Sequence, residues 1–128
     1  SCTPVGIFNQ TVASQFYPFV RPQETGNKTD IRWWKVVDID GRGLMFQSDV
    51  LFNATALHFL TSDLDDGSEK HQRHSGELHE RDLTNVSIDL QQMGLGCIDS
   101  WGSWPLQKYL LPYQDYSFNF LISPVAKK

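Results

Sequence analysis

The segment Asn85-Val86-Ser87-Ile88-Asp89-Leu90-Gln91 alternates polar and apolar residues without a break. Period-two alternation lays Val86, Ile88 and Leu90 along one face of an extended strand, whereas a helix would scatter them around its axis. Such a strand needs hydrogen-bonded neighbours, and the rest of the chain supplies them. Ile31-Arg32-Trp33-Trp34-Lys35-Val36-Val37-Asp38-Ile39-Asp40 is dense in β-branched and aromatic residues. Asp40-Gly41-Arg42-Gly43 then reads as a turn and Leu44-Met45-Phe46 resumes the apolar run, which predicts a hairpin. Residues 50–60 predict another strand, and Gln107 to Leu111 a short one. After the turn Pro112-Tyr113-Gln114-Asp115, the alternation of Tyr116, Phe118, Phe120 and Ile122 predicts a last strand. In the polar middle, Thr61-Ser62-Asp63 opens one short helical turn and Asp65-Asp66-Gly67 ends it. Short strands joined by turns, with no long helix, predict an all-β fold: an antiparallel β-sandwich or barrel.

The 128 residues suit one domain, or a piece of one, spanning 1–128, with residues 1–6 as a disordered or tag-derived lead-in. Pro18 makes any strand in the first twenty residues an edge or a broken one. The net charge of −4, with 11 scattered Lys and Arg, argues against a nucleic-acid partner. No apolar run approaches the roughly 18 residues a membrane span needs, so no membrane partner is expected. Cys2 and Cys97 make at most one bridge, and Cys2 sits at a terminus expected to fray. The abrupt opening at Ser1, without a methionine, looks like a processed product or an excised piece. The chain carries no visible address to a compartment.

Function is concentrated in Met93-Gly94-Leu95-Gly96-Cys97-Ile98-Asp99-Ser100-Trp101-Gly102-Ser103-Trp104-Pro105, which holds three of nine glycines and two of four tryptophans. Glycines at 94 and 96 suit a tight turn better than a ladder strand. The tip Asp99-Ser100-Trp101-Gly102 sets an indole among turn formers, where two readings stand: a ligand-facing side chain, or an anchor that fixes the loop to a core. Trp104, followed by Pro105 and Leu106, is the natural core candidate.

Three ordered segments resemble one family. Arg21-Pro22-Gln23-Glu24-x-Gly26-Asn27-Lys28-x-Asp30-x-Arg32-Trp33 resembles the entry to the C-terminal domain of the lac-type β-galactosidases of glycoside hydrolase family two. His74-x4-His79, Ile88-Asp89, Met93-Gly94-Leu95-Gly96 and Asp99-Ser100-Trp101 are similar to that domain's closing half, and Phe118-x-Phe120 to its last strand. The resemblance runs from about residue 7 to 124 and implies the later part of a galactose-mutarotase-like supersandwich. It further implies that Trp101 stacks on the sugar at the aglycone subsite of a separate TIM barrel, with Asp99, Ser100 and His74 as lesser candidates. The barrel domain and a β-galactoside or acceptor sugar become the expected partners, within a parent that is bacterial, cytoplasmic or periplasmic, and open to homo-oligomerisation. Catalytic carboxylates, Mg2+ and Na+ are expected in the barrel; no catalytic residue, cofactor or metal is assigned to this chain.

The physics of a sugar platform does not depend on the family. A pyranose has a face of C–H groups and a rim of hydroxyls, so an indole can cover the first while polar groups take the second. A free-standing carbohydrate-binding β-sandwich using the same tryptophan is the alternative, and a purely structural domain docking through Trp33 or Trp34 a third. Retaining hydrolysis needs two carboxyls roughly 5–5.5 Å apart; the glutamates at 24, 69, 77 and 80 include no Asn-Glu dipeptide of the kind that marks the family's acid. His71-x2-His74-x4-His79 with Glu77 and Glu80 has zinc-ligand types, but its spacing fits neither a helical pair nor a finger, so solvated histidines are expected. Four of the five asparagines (Asn9, Asn27, Asn53 and Asn85) stand in Asn-x-Ser/Thr, two of them inside predicted strands. Glu24 and Arg32 are expected to form no more than a surface pair.

Overall fold

A computed structural model describes residues 4–23, 25–65, 67–68, 74–93 and 102–127. Four strands appear among them: β1 (Lys28–Val37), β2 (Gly43–Leu57), β3 (Asn85–Asp89) and β4 (Leu121–Val125). The remaining regular structure is one helical turn, α1 (Thr61–Leu64), and three 3-10 turns, Ala13–Gln15, Ser75–Glu77 and Gln107–Tyr109. The fold is all-β. Its sheet has the order β1-β2-β3, with β4 also paired to β2.

The hairpin forms where the turn residues predict it. Asp38 N–H donates to the Arg42 carbonyl (2.8 Å) and Gly41 N–H to the Asp38 carbonyl (3.0 Å). From there Val37↔Gly43 through Trp33↔Gln47 pair without a slip. β4 pairs antiparallel with the same stretch of β2, Gly43↔Val125 through Gln47↔Leu121. A strand has two hydrogen-bonding edges, so β2 is the middle strand of three over Gly43–Gln47. Gly43 is required here by close approach: a Cβ on it would meet the Val36 carbonyl and lie 2.8 Å from Val37 Cα.

β2 overturns one sequence expectation. Residues 44–46 and 50–60 predict two strands, yet one strand runs from Gly43 to Leu57. Between Ile31↔Phe52 and Trp33↔Gln47, β1 advances two residues while β2 advances five. The polar Ser48-Asp49 pair is thus absorbed as a bulge of three extra residues rather than a turn. Asp30, on the other side of Ile31, takes φ 57° beside a second register shift, a conformation aspartate tolerates better than branched residues do.

Two further expectations are corrected. Gln107 to Leu111 is not a strand: Tyr109 N–H donates to the Leu106 carbonyl (2.8 Å) and Leu110 N–H to that of Gln107 (3.2 Å), closing a 3-10 turn. Pro105 and Pro112 bracket this segment and cannot donate to a ladder, so local i to i+3 bonds satisfy it. The last strand begins at Leu121 rather than Tyr116. The alternation of Phe118 and Phe120 reflects ring packing, not ladder pairing: Phe118 stacks on Phe52 (6.4 Å) and on Phe120 (5.2 Å).

The chain divides into two compact units. The first combines Ser1–Asn27 with Thr55–Ser87. Leu57, Phe59 and Leu64 form its core, with Phe16 and Leu78 packed against them and the Phe16 and Phe59 rings 4.6 Å apart. Each such buried side chain contributes about 1.5–3 kcal/mol. Asp63 holds α1: its Oδ2 accepts the Leu60 N–H (2.9 Å), and its two oxygens take Nε and Nη2 of Arg81 at 2.6 Å. Within the Arg21-Pro22-Gln23 segment's continuation, Thr25 Oγ1 accepts the Tyr17 N–H (3.1 Å) and donates to the Gln15 carbonyl (3.3 Å). Gly26 follows at φ 80°, where a Cβ would sit 2.7 Å from that same carbonyl.

The second unit combines Lys28–Ala54 with Ile88–Lys128. Cross-strand partners share a face of the sheet. Trp34, Phe46 and Ile122 form one row and Val36, Leu44 and Pro124 the next, so this face is wholly apolar. The rows on the opposite face, Trp33-Gln47-Leu121 and Lys35-Met45-Ser123, are mixed. Trp33 and Trp34 therefore point to opposite faces, the first exposed with Lys35 Nζ 5.5 Å from its ring, the second half-buried. Phe52, 1% exposed, and Phe46 anchor the unit.

Candidate functional site

Trp101, Asp99 and Ser100 lie outside the described residues, as do the glycines at 94 and 96 and both cysteines. The approach and exit of that loop are described. β3 leads to it, and beyond the strand Gln92 Nε2 donates to Asp89 Oδ2 (3.2 Å), tying the last residues before the loop to the strand end. Met93 is exposed. On the far side Gly102 takes φ 99°, and the chain is pinned at Pro105, which is buried. Trp104 is not the core residue its neighbours suggested: its side chain is 72% exposed. The rigid Pro105 ring takes the interior position and leaves the indole outside, so the exit from the loop presents an aromatic surface.

His74, in the first unit, has a local task. Its N–H donates to Glu77 Oε2 (2.6 Å) and its carbonyl accepts the Glu77 N–H (2.9 Å), closing the 3-10 turn Ser75–Glu77. Ser75 Oγ in turn bonds the Phe19 carbonyl. The imidazole of His74 and that of His79 are exposed, and His71 lies outside the described residues. Among the described histidines, His58 has a firm ring contact, its Nδ1 2.7 Å from the Leu83 carbonyl. Among the described residues no group of three or more His, Cys, Asp or Glu is placed to hold a metal ion.

Electrostatics here is structural. The Arg81 guanidinium is held above its ordinary range, first by its hydrogen bonds to Asp63 and then by that carboxylate's charge. Asp63 is engaged by Arg81 and the Leu60 N–H, which ties α1 to the segment around residue 81. At the hairpin turn the Arg42 N–H foremost, with the Arg42 charge and the Asp40 N–H, holds the Asp38 carboxyl below its ordinary value, outweighing a desolvation effect that pushes the other way. Burial pushes the Lys28 ammonium down. Glu24 lies outside the described residues, and Arg32 is exposed. Of the asparagines in Asn-x-Ser/Thr, Asn53 and Asn85 stand in β2 and β3, while Asn9 and Asn27 are exposed in loops.

A concavity that the sequence did not single out lies beside the β2 bulge. It is shallow and widely open to solvent, and is lined by Gln47, Ser48, Asp49, Asn119, Phe120 and Leu121. Ser48 Oγ donates to the Asn119 carbonyl (2.8 Å), joining the bulge to the segment entering β4. In the sequence its parts lie far apart, the polar run Gln47-Ser48-Asp49 and Asn119 between two phenylalanines, with nothing local to join them.

Comparison with known proteins decides the family. The sequence model of the β-galactosidase small chain matches residues 1–122. The chain belongs to the β-galactosidase small-chain family. Over 123 residues this small-chain domain is 32% identical to the β-galactosidase of Streptococcus thermophilus, covering 94% of the domain and 12% of that enzyme. It is 35% identical over 126 residues to that of Lactobacillus delbrueckii subsp. bulgaricus (97% and 12%), and 31% over 116 residues to that of Priestia megaterium (90% and 11%). The small-chain domain thus spans about an eighth of the length of the curated relatives it matches.

Proposed function

We propose that the chain is the C-terminal domain of a retaining family-two β-galactosidase and completes the aglycone subsite of a TIM barrel carried elsewhere in the parent polypeptide. The parent hydrolyses terminal β-D-galactosides such as lactose; this domain supplies Trp101 as the platform for the leaving glucose or an acceptor sugar. The single observation that carries the reading is the small-chain match across residues 1–122, in a chain that covers only an eighth of relatives named β-galactosidase. The whole chain is taken as one domain of that parent, and its sheet as one layer of the supersandwich. The wholly apolar face of Trp34, Val36, Leu44, Phe46, Ile122 and Pro124 supports this, because such a face demands a covering layer.

The division of labour follows from chemistry. The two carboxylates of a retaining mechanism belong to the barrel, as do Mg2+ and Na+, and the domain contributes binding and orientation. An indole over the apolar face of the aglycone aligns the glycosidic bond without touching the reacting atoms. Asp99 and Ser100 shape the tip that presents it, and His74 steadies the polar segment earlier in the chain. The test is direct: the purified chain is expected to leave a nitrophenyl β-galactoside intact, while the parent cleaves it. Turnover by the chain alone would overturn the assignment.

A further inference from the structure

We infer that the concavity at the β2 bulge is a second saccharide-binding site, separate from Trp101 and independent of that residue's role. Three features converge there. The first is a supported aromatic: Phe120 is 41% exposed, and its ring rests on Phe118, which rests in turn on the buried Phe52. An aromatic backed by two further rings offers its open surface with little rotamer freedom to lose on binding.

The second feature is planar polar side chains with unused capacity. Among the described residues, the amides of Gln47 and Asn119 have no side-chain hydrogen bond, and the Asp49 carboxylate has only the Ser48 hydroxyl, 3.3 Å away. Each such group presents two polar atoms side by side, the spacing at which neighbouring hydroxyls of a sugar ring are bound in pairs. No lysine, arginine or histidine lines the concavity and Asp49 adds negative charge, so phosphates and other anions are disfavoured. A neutral polyhydroxylated ring with one apolar face is the ligand class that fits.

The third feature is preorganisation. The Ser48 hydroxyl bonds the Asn119 carbonyl, and Val50 N–H donates to Ser48 Oγ (3.3 Å), so the bulge and the entry to β4 are held together before any ligand arrives. Three extra residues of β2 at this point carry Asp49 out of the ladder, which is a recurrent use of bulges.

The site is tested by titrating the isotope-labelled chain with lactose and following backbone amide resonances. Shifts are expected at residues 47–49 and 119–121. Phe120→Ala and, separately, Asp49→Ala should each weaken the interaction about tenfold, while Trp101→Ala leaves those shifts in place. The Asp49 substitution is at an exposed position and guards against a folding defect in the Phe120 variant. Absence of shifts at these residues, persistence of the affinity in both variants, or loss of the shifts in Trp101→Ala would overturn the inference.

Discussion

Gly43 shows how narrowly one residue can set a contact. Any side chain there would drive into the Val36 carbonyl and the Val37 backbone at the point where β1 and β2 leave the hairpin turn. Gly43→Ala is expected to destabilise the chain by about 1–3 kcal/mol, read from the midpoint of a urea titration. Asp38, five residues earlier, makes a pH prediction. Its carboxyl is depressed in the folded state, first by the Arg42 N–H, so its contribution is present above the unfolded-state value and is lost as pH falls through the lower folded one. Melting temperatures followed from neutral pH into the acid range should drop less in Asp38→Asn than in the parent sequence. An identical acid slope in the two proteins would mean that the turn carboxylate has no folded-state partner. The turn at 38–43 was legible because every determinant is local, whereas the exposure of Trp104 was not: which of two adjacent bulky residues turns inward depends on what packs against them.

At the scale of elements, hydrophobic alternation located β3, because a half-buried strand writes its two faces into its own sequence, while β-branched and aromatic density located β1 and turn residues the hairpin. It failed at β2 and at 107–111 for different reasons. Ser48-Asp49 has the composition of a turn but becomes a bulge, since flanking residues on both sides pair with β1. Gln107 to Leu111 has strand composition but lies between prolines and satisfies its own backbone. The concavity was illegible for a third reason: Ser48 and Asn119 are 71 residues apart, and only the β2–β4 pairing brings them together. Phe52 is the element-scale test of the core, because the ladder on β2 and the ring stack through Phe118 both converge on it. Phe52→Ala should cost about 3–5 kcal/mol, enough to unfold a marginal domain, and a loss below 1 kcal/mol would show that the stack is not the anchor. Ile122→Lys probes the apolar face differently. It should change the isolated chain by about 0.5 kcal/mol or less, since Ile122 is half exposed there, but destabilise the parent enzyme by several times that amount. Equal effects in both would remove the case for a covering layer.

For the molecule as a whole, the proposed division of labour is between this small-chain domain and the far larger remainder of a parent enzyme, with Trp101 as the proposed contact at the aglycone subsite. The family was legible in the sequence because its motifs are short and ordered, from Arg21-Pro22-Gln23 to Phe118-x-Phe120, and the match over residues 1–122 agrees with that reading. The presentation of Trp101 to a sugar is a further step, proposed from the sequence of the loop, with glycines before the indole and turn-forming residues beside it, and from a buried Pro105 behind it. The decisive measurement compares the parent enzyme with its Trp101→Ala variant for lactose affinity and for the dependence of galactosyl transfer on added acceptor sugar. The account predicts about tenfold weaker use of lactose and of acceptor, with cleavage of the galactosyl bond itself intact. Unchanged acceptor dependence in the variant would contradict it.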